Sequence, residues 1–287
     1  CPCADPMLNP TVSSLSAPDS VSAKERYQAE ACVAKHTGDR SEQQDRAAVF
    51  AHPTRKGTLM AVLADGMGGH SGGAMAAEQV ILKARQNFEA FAPASESAPD
   101  LLRSIVDEAH IVIKLTRFTS EQDPHSTAVV FMMQPDRADW AHCGDSRFYH
   151  FRRGALMSRS VDHSLVEELV RKGRLDAEGA LRHPNRNVLL SCLGSEREPR
   201  VDVGHASPLV GGDAFLLCSD GLWAYISEEE TGHILATQSP RDAASALIEL
   251  ARQRAKGGGD NISLAIVKLV EVTPKPQQWG DFPKLGG

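Results

Sequence analysis

Six cysteines in 287 residues are far below the density of a disulfide-stapled scaffold. Nor do they join the histidines in a zinc-ligand spacing. Cys1 and Cys3 sit one residue apart in a Pro- and Ser-rich start, and Cys32, Cys143, Cys192 and Cys218 are scattered. Long apolar runs are absent too: none approaches the roughly 18 consecutive residues of a membrane-spanning helix, so no membrane span is expected. Positive charge is in deficit, 31 Lys and Arg against 37 Asp and Glu, for a net charge of −6. That balance excludes the basic surface of a general nucleic-acid binder. The first residues lack the basic start and apolar stretch of a signal peptide. What is present, 41% hydrophobic and 24% charged residues, suits a folded, soluble protein with a sizeable core.

Composition changes at both ends. Residues 1–24 are rich in Pro, Ser, Ala and Asp without periodicity, and a flexible tail is expected there. Residues 273–287 hold Pro274, Pro276 and Pro283 and read as a tail or linker. One domain is expected over 25–272. Within it, short apolar runs predict strands over Leu59–Ala64, Thr127–Met133, Ala138–Cys143, Arg147–Phe151, Ala214–Cys218 and Ile262–Val267. Four-residue spacing of Ala76, Val80, Ala84 and Phe88 predicts a helix over Gly73–Phe91, and a second apolar stripe predicts one over Asp100–Phe118. Ser239-Pro240 reads as an N-cap followed by proline in the first turn of a third helix. Two helices fall together before the middle strands, instead of one after each strand, so the class expected is α+β. Arg147, Arg152 and Arg153 read as a solvated strand face, and Cys143 and Cys218 as small core residues.

Asp65, Asp145, Asp220 and Asp260 each stand at the edge of an apolar strand beside Gly, Ser or Asn. A carboxylate at the lip of a buried strand is costly unless a positive charge compensates it. Hard oxygen donors of this kind suit Mg²⁺, Mn²⁺ or Ca²⁺. Asp-Gly and Gly-Asp-Ser are also ordinary turn sequences, so position alone leaves a metal site and a set of turns both open.

Five ordered blocks go further. They are Gly38-Asp39-Arg40 leading to Gln44-Asp45-Arg46; Leu63-Ala64-Asp65-Gly66-Met67-Gly68-Gly69-His70; Gly144-Asp145-Ser146-Arg147 followed by Asp162-His163-Ser164; Ser219-Asp220-Gly221-Leu222-Trp223; and Gly259-Asp260-Asn261. In this order, from about Ala31 to Val270, the chain resembles the bacterial branch of the metal-dependent (PPM, type 2C) protein serine/threonine phosphatases. The resemblance implies an α-β-β-α sandwich of two antiparallel sheets flanked by helix pairs. It implies a pair of Mn²⁺ or Mg²⁺ ions, with room for a weaker third. Asp65 would bridge both ions, Asp220 and Asp260 would hold the first, and Asp45 with the Gly66 carbonyl would serve the second. Asp145 would join Asp220 at the third, and Arg40 would grip the substrate phosphate. The partners implied are proteins phosphorylated on Ser or Thr and a cognate Ser/Thr kinase. A cytoplasmic monomer is expected.

The chemistry explains these residue types. Phosphate monoesters hydrolyse extremely slowly, so a very large rate factor is needed. Two divalent ions sharing a water lower its pKa towards neutrality, and the resulting nucleophile attacks phosphorus with no phosphoenzyme. Arg40 can meet two phosphoryl oxygens at once, which lysine cannot. Three positions depart from common family patterns. Gln44 stands where many relatives have Glu, and Met67 where animal members have a histidine acid. Ala224 replaces a carboxylate, which argues against a strong third-ion site. Residues 174–186 correspond to a variable flap that borders the active site, and His70 reads as a surface residue.

Overall fold

The structure is a computed structural model that describes residues 27–117 and 122–272, without the side chains of His70, Ser71 and Ala177. The expected tails, Phe118 and the side chain of His70 therefore lie outside the described residues. In chain order the elements are β1 (Tyr27–His36), β2 (Arg46–Ala51), β3 (Leu59–Ala64), β4 (Gly66–Met67), α1 (His70–Ala90), α2 (Ala98–Thr116), β5 (His125–Ser126), β6 (Ala128–Gln134), β7 (Arg137–Cys143), β8 (Arg147–Arg152) and β9 (Ala155–Arg159). Then come α3 (Leu165–Arg171), α4 (Ala177–Arg182), β10 (Asp202–Ala206), β11 (Asp213–Cys218), α5 (Asp220–Trp223), α6 (Glu228–Thr237), α7 (Pro240–Ala255) and β12 (Ile262–Glu271).

Two five-stranded sheets, ordered β1-β12-β11-β8-β9 and β10-β7-β6-β3-β2, stack face to face. Every strand pair in them is antiparallel. The central strands are apolar on both faces because both faces are covered. In β3, Ala61 and Leu63 point between the sheets to meet Phe131, Phe148, Phe215 and Val267. Met60, Val62 and Ala64 point the other way, into a cluster with Ala76, Val80, Phe88, Leu101 and Ile105 of α1 and α2. β12 repeats the division: Ala265, Val267 and Leu269 face the partner sheet, while Leu264 and Ile266 pack with Leu235, Ala244 and Leu247 of α6 and α7. The architecture is the expected α+β sandwich of four layers.

Helix starts follow their caps. Ser97 and Ser239 accept hydrogen bonds from the backbone N–H groups of Asp100 and Asp242, with proline in the first turn of each helix. Ser227 and Glu230 form a reciprocal capping box on α6.

The solvated strand face expected of the arginines does not occur. Arg147 is mostly buried, donating to both oxygens of Asp162 at 2.8 Å and lying 3.6 Å over the ring of Trp223. Arg152 reaches Asp213 at 2.7 Å, and of the three only Arg153, at a positive-φ turn, is exposed. The physical reason is that a buried carboxylate on a neighbouring segment, Asp162 or Asp213, recruits a guanidinium that the local pattern places outside. Cys143 and Cys218 lie in the core as expected, and burial pushes the Cys143 thiol up to about 12.

Candidate metal centre

Sheet register brings the acidic blocks to one end of the sandwich. Arg46 pairs with Ala64 across β2 and β3, so Asp45 and Asp65 leave that pair at the same edge. Cys218 pairs with Leu264 on one side and Arg147 on the other, which carries Asp220, Asp260 and Asp145 to the matching edge of the second sheet. Burial pushes the Asp65 carboxyl well above its ordinary range, and the charges of Asp45, Asp220, Asp145 and Asp260 push it further. The Asp220 carboxyl is raised for the same reasons, burial first and then Asp145, Asp260 and Asp45. Asp45 is pushed up to about 6 and Asp145 to about 7, burial being the main cause in each.

Each carboxylate has a rigid mount. The Asp65 backbone N–H donates to Thr127 Oγ1 at 2.9 Å, its carbonyl accepts from the Thr127 N–H at 2.9 Å, and Thr127 Oγ1 meets Ser146 Oγ at 2.7 Å. Gly66 follows, where a Cβ would lie 2.0 Å from the Gly73 carbonyl oxygen of α1, so only glycine lets the chain pass there. Asp45 is 1% exposed, and its Oδ2 accepts from Ser219 Oγ at 2.7 Å. Ser219 Oγ in turn accepts from the Ser263 N–H at 3.0 Å. On the far side, Trp223 Nε1 donates to the Asp145 carbonyl at 2.9 Å. Sequence reasoning named Ser219 and Trp223 only as members of a block and missed Thr127. Their partners are tens to hundreds of residues away, and no local pattern signals them.

Arg40 is the only cation in ion-pair contact with any of these five aspartates among the described residues. Its Nη2 lies 2.5 Å from Asp260 Oδ2, and its side chain is 59% exposed. Asp260 Oδ1 accepts from the Asn261 N–H at 2.8 Å. Asp45 Oδ1 is buried with no hydrogen-bond partner. A buried carboxylate oxygen without a donor, beside four more carboxylates, is a costly arrangement that a cation would relieve. Every ligand on offer is a hard oxygen, so the residues fit Mg²⁺ or Mn²⁺ and not a soft metal.

Among the described residues, the one group of three ligand atoms lying within 4.8 Å of one another is elsewhere, at His142, His163 and Asp202. His142 Nε2 meets the Val161 carbonyl at 2.9 Å and its buried Nδ1 has no hydrogen-bond partner, but the nitrogens of His163 are both committed. His163 Nδ1 accepts from the Gly144 N–H at 3.2 Å, which requires the proton on Nε2, and Nε2 faces Asp202 Oδ2 at 3.2 Å. His163 thus has no lone pair free for an ion, and Arg200 already neutralises Asp202 at 2.6 Å. A cavity of about 300 Å³ lined by His163, Arg171 and Arg200 borders this cluster, not the aspartates. His163 braces the Gly144-Asp145 turn from behind, its ring accepting from the Gly144 N–H and its backbone N–H donating to the Gly144 carbonyl at 2.8 Å.

The protein phosphatase 2C family profile matches residues 34–255. The Ser/Thr phosphatase stp of Listeria monocytogenes is 32% identical over 234 residues, which are 80% of this chain and 91% of that protein. The crystal structure of the S. agalactiae serine/threonine phosphatase superposes with a TM-score of 0.75 at 30% identity, over 84% of this chain and 99% of that one. The catalytic domain of PstP, solved in complex with 2 manganese ions, superposes with a TM-score of 0.67 at 28% identity, covering 84% and 98%.

Proposed function

This chain belongs to the protein phosphatase 2C family and is a protein serine/threonine phosphatase of the bacterial type, and on that premise we propose that its five converging aspartates hold the divalent cations of the reaction. In this reading Asp65, Asp220 and Asp260 would hold one ion, and Asp65 with Asp45 and the Gly66 carbonyl would serve a second. Asp145 and Asp220 offer a third, looser position. Mn²⁺ or Mg²⁺ suits the donor set, and the PstP structure with 2 manganese ions supports that choice. Bound there, such ions supply positive charge for the phosphoryl oxygens and a nucleophile derived from water at neutral pH.

The protein's own residues orient the substrate. Arg40 stands at the solvent edge beside Asp260, where its planar fork can meet two oxygens of a phosphoryl group. Charge on those oxygens is what the site must accommodate in a loose transition state. No side chain is needed as nucleophile, consistent with a Cys143 thiol that burial keeps protonated. The substrates are phosphoserine and phosphothreonine proteins, and the reaction reverses the work of a Ser/Thr kinase.

The single observation that carries this reading is the unpartnered Oδ1 of Asp45 among five carboxylates. The test is phosphate release from a phosphothreonine peptide by the purified protein. Mn²⁺ should support it and EDTA should stop it. Asp65→Asn and Asp220→Asn should each reduce turnover by about 10³-fold or more while keeping the fold. Near-normal turnover in both variants would remove the assignment.

A further inference from the structure

Asn261 belongs to the last of the five sequence blocks, yet the reaction described above gives its side chain nothing to do. That side chain is 6% exposed and fully engaged. Its Nδ2 donates to the Thr37 carbonyl at 2.8 Å and to the Glu42 carbonyl at 2.9 Å, and its Oδ1 accepts from the Gln44 N–H at 2.7 Å. A carboxamide supplies two N–H donors and one carbonyl acceptor, and all are used. The three backbone groups it holds bracket Arg40 on both sides.

The rest of this contact is equally close. The Asp39 N–H donates to the Gly259 carbonyl at 3.0 Å, and the Gly259 N–H donates to Asp39 Oδ2 at 2.8 Å. Gly38 has φ +68°, and a Cβ there would lie 2.0 Å from the Asp260 carbonyl oxygen. Arg40 itself is 59% exposed, with four rotatable bonds between its backbone and the guanidinium that meets Asp260 Oδ2 at 2.5 Å. A side chain that long and that solvated keeps this contact only while the loop beneath it is held.

We infer that Asn261 is a positioning residue that clamps the segment 37–44 to the Asp260 strand end, so that Arg40 is held at the solvent edge beside Asp260 where it can meet the substrate phosphate. The inference rests on the proposed role of Arg40. It also explains the residue type. Aspartate would turn an oxygen towards two carbonyl oxygens, and serine or alanine would leave those carbonyls without donors.

A double-mutant cycle tests it with the full chain, saturating Mn²⁺ and a phosphothreonine peptide. Asn261→Ala should lower kcat/KM about tenfold, chiefly through KM, in the wild-type background. In the Arg40→Ala background the same change should cost less than about threefold, because the group it positions is gone. Hydrogen exchange gives a readout independent of turnover. Amides of residues 37–44 should exchange about tenfold faster in Asn261→Ala, with the core of β3 and β11 unchanged. If Asn261→Ala does not fold, Asn261→Asp, which keeps size and the acceptor but removes both donors, should show the same pattern. Equal losses in both backgrounds, or unchanged exchange over 37–44, would overturn the inference. Wild-type kinetics in Arg40→Ala alone would sink the Arg40 assignment as well as the clamp, and the single variant distinguishes that case.

Discussion

Asp45 and Ser219, 174 residues apart, share one hydrogen bond that tempers the ionisation of a candidate ligand. Burial raises the Asp45 carboxyl, and the bond from Ser219 pulls it back, because a donor favours the charged form. Ser219→Ala should therefore raise Asp45 above its present value of about 6 and destabilise the fold by about 1–3 kcal/mol, the cost of an unmet buried acceptor. Urea denaturation measures the second effect, and carboxyl-carbon NMR titration measures the first. Arg147 makes the same point about charge. Its planar group lies between both oxygens of Asp162 and the Trp223 ring, a geometry that Lys cannot reproduce. Arg147→Ala should cost about 3–5 kcal/mol by stranding the buried Asp162, with Arg147→Lys recovering only part of it, as thermal melts would show. This was the residue the sequence misled on. Alternation along the strand points Arg147 outward, and nothing local announces that Asp162 waits across the hairpin of β8 and β9.

Among the elements, β3, β6, β7, β8 and β11 were legible because each is an apolar run covered on both faces. β1 and β2 escaped notice for the opposite reason. Their residues are half-buried or exposed; β1 mixes charged and polar residues with small ones, and three of the five apolar residues of β2 are alanines. α1, α2 and α7 were readable from their stripes and caps, whereas α3, α4 and α5 are too short to show a period. Asp65, Asp145, Asp220 and Asp260 could be picked out by position, since each ends or begins a readable strand, whereas Asp45 precedes β2 and was named only through the family resemblance. The side chains that hold them could not, because Thr127, Ser219 and Asn261 act across the sheets. The crossing of β4 and α1 offers an element-scale test. Gly66→Ala would set a methyl 2.0 Å from backbone, so the strand end and the first turn of α1 must separate. We expect a loss of more than about 3 kcal/mol in stability by chemical denaturation, together with loss of phosphatase activity.

At the scale of the molecule, two sheets of different strand order deliver five carboxylates to one end, and their shifts tie stability to pH. The folded-state values of Asp45, Asp65, Asp145 and Asp220 lie above the ordinary 3.8, at about 6 for Asp45 and about 7 for Asp145. For an acid raised on folding, the stabilising contribution of the protonated form is complete below the unfolded value and is lost as pH rises through the folded one. In EDTA the protein should thus lose stability between about pH 4 and pH 7, and divalent cation should remove most of that dependence. Thermal melts across that range, with and without Mn²⁺, check the sign. The most direct test is calorimetric titration of Mn²⁺ into the EDTA-stripped protein near neutral pH. The wild-type chain should take up two ions with release of protons, and Asp65→Asn, which removes the carboxylate we propose both ions would share, should bind neither tightly. Absence of binding to the wild type, or wild-type binding by Asp65→Asn, would contradict a metal centre built on these aspartates.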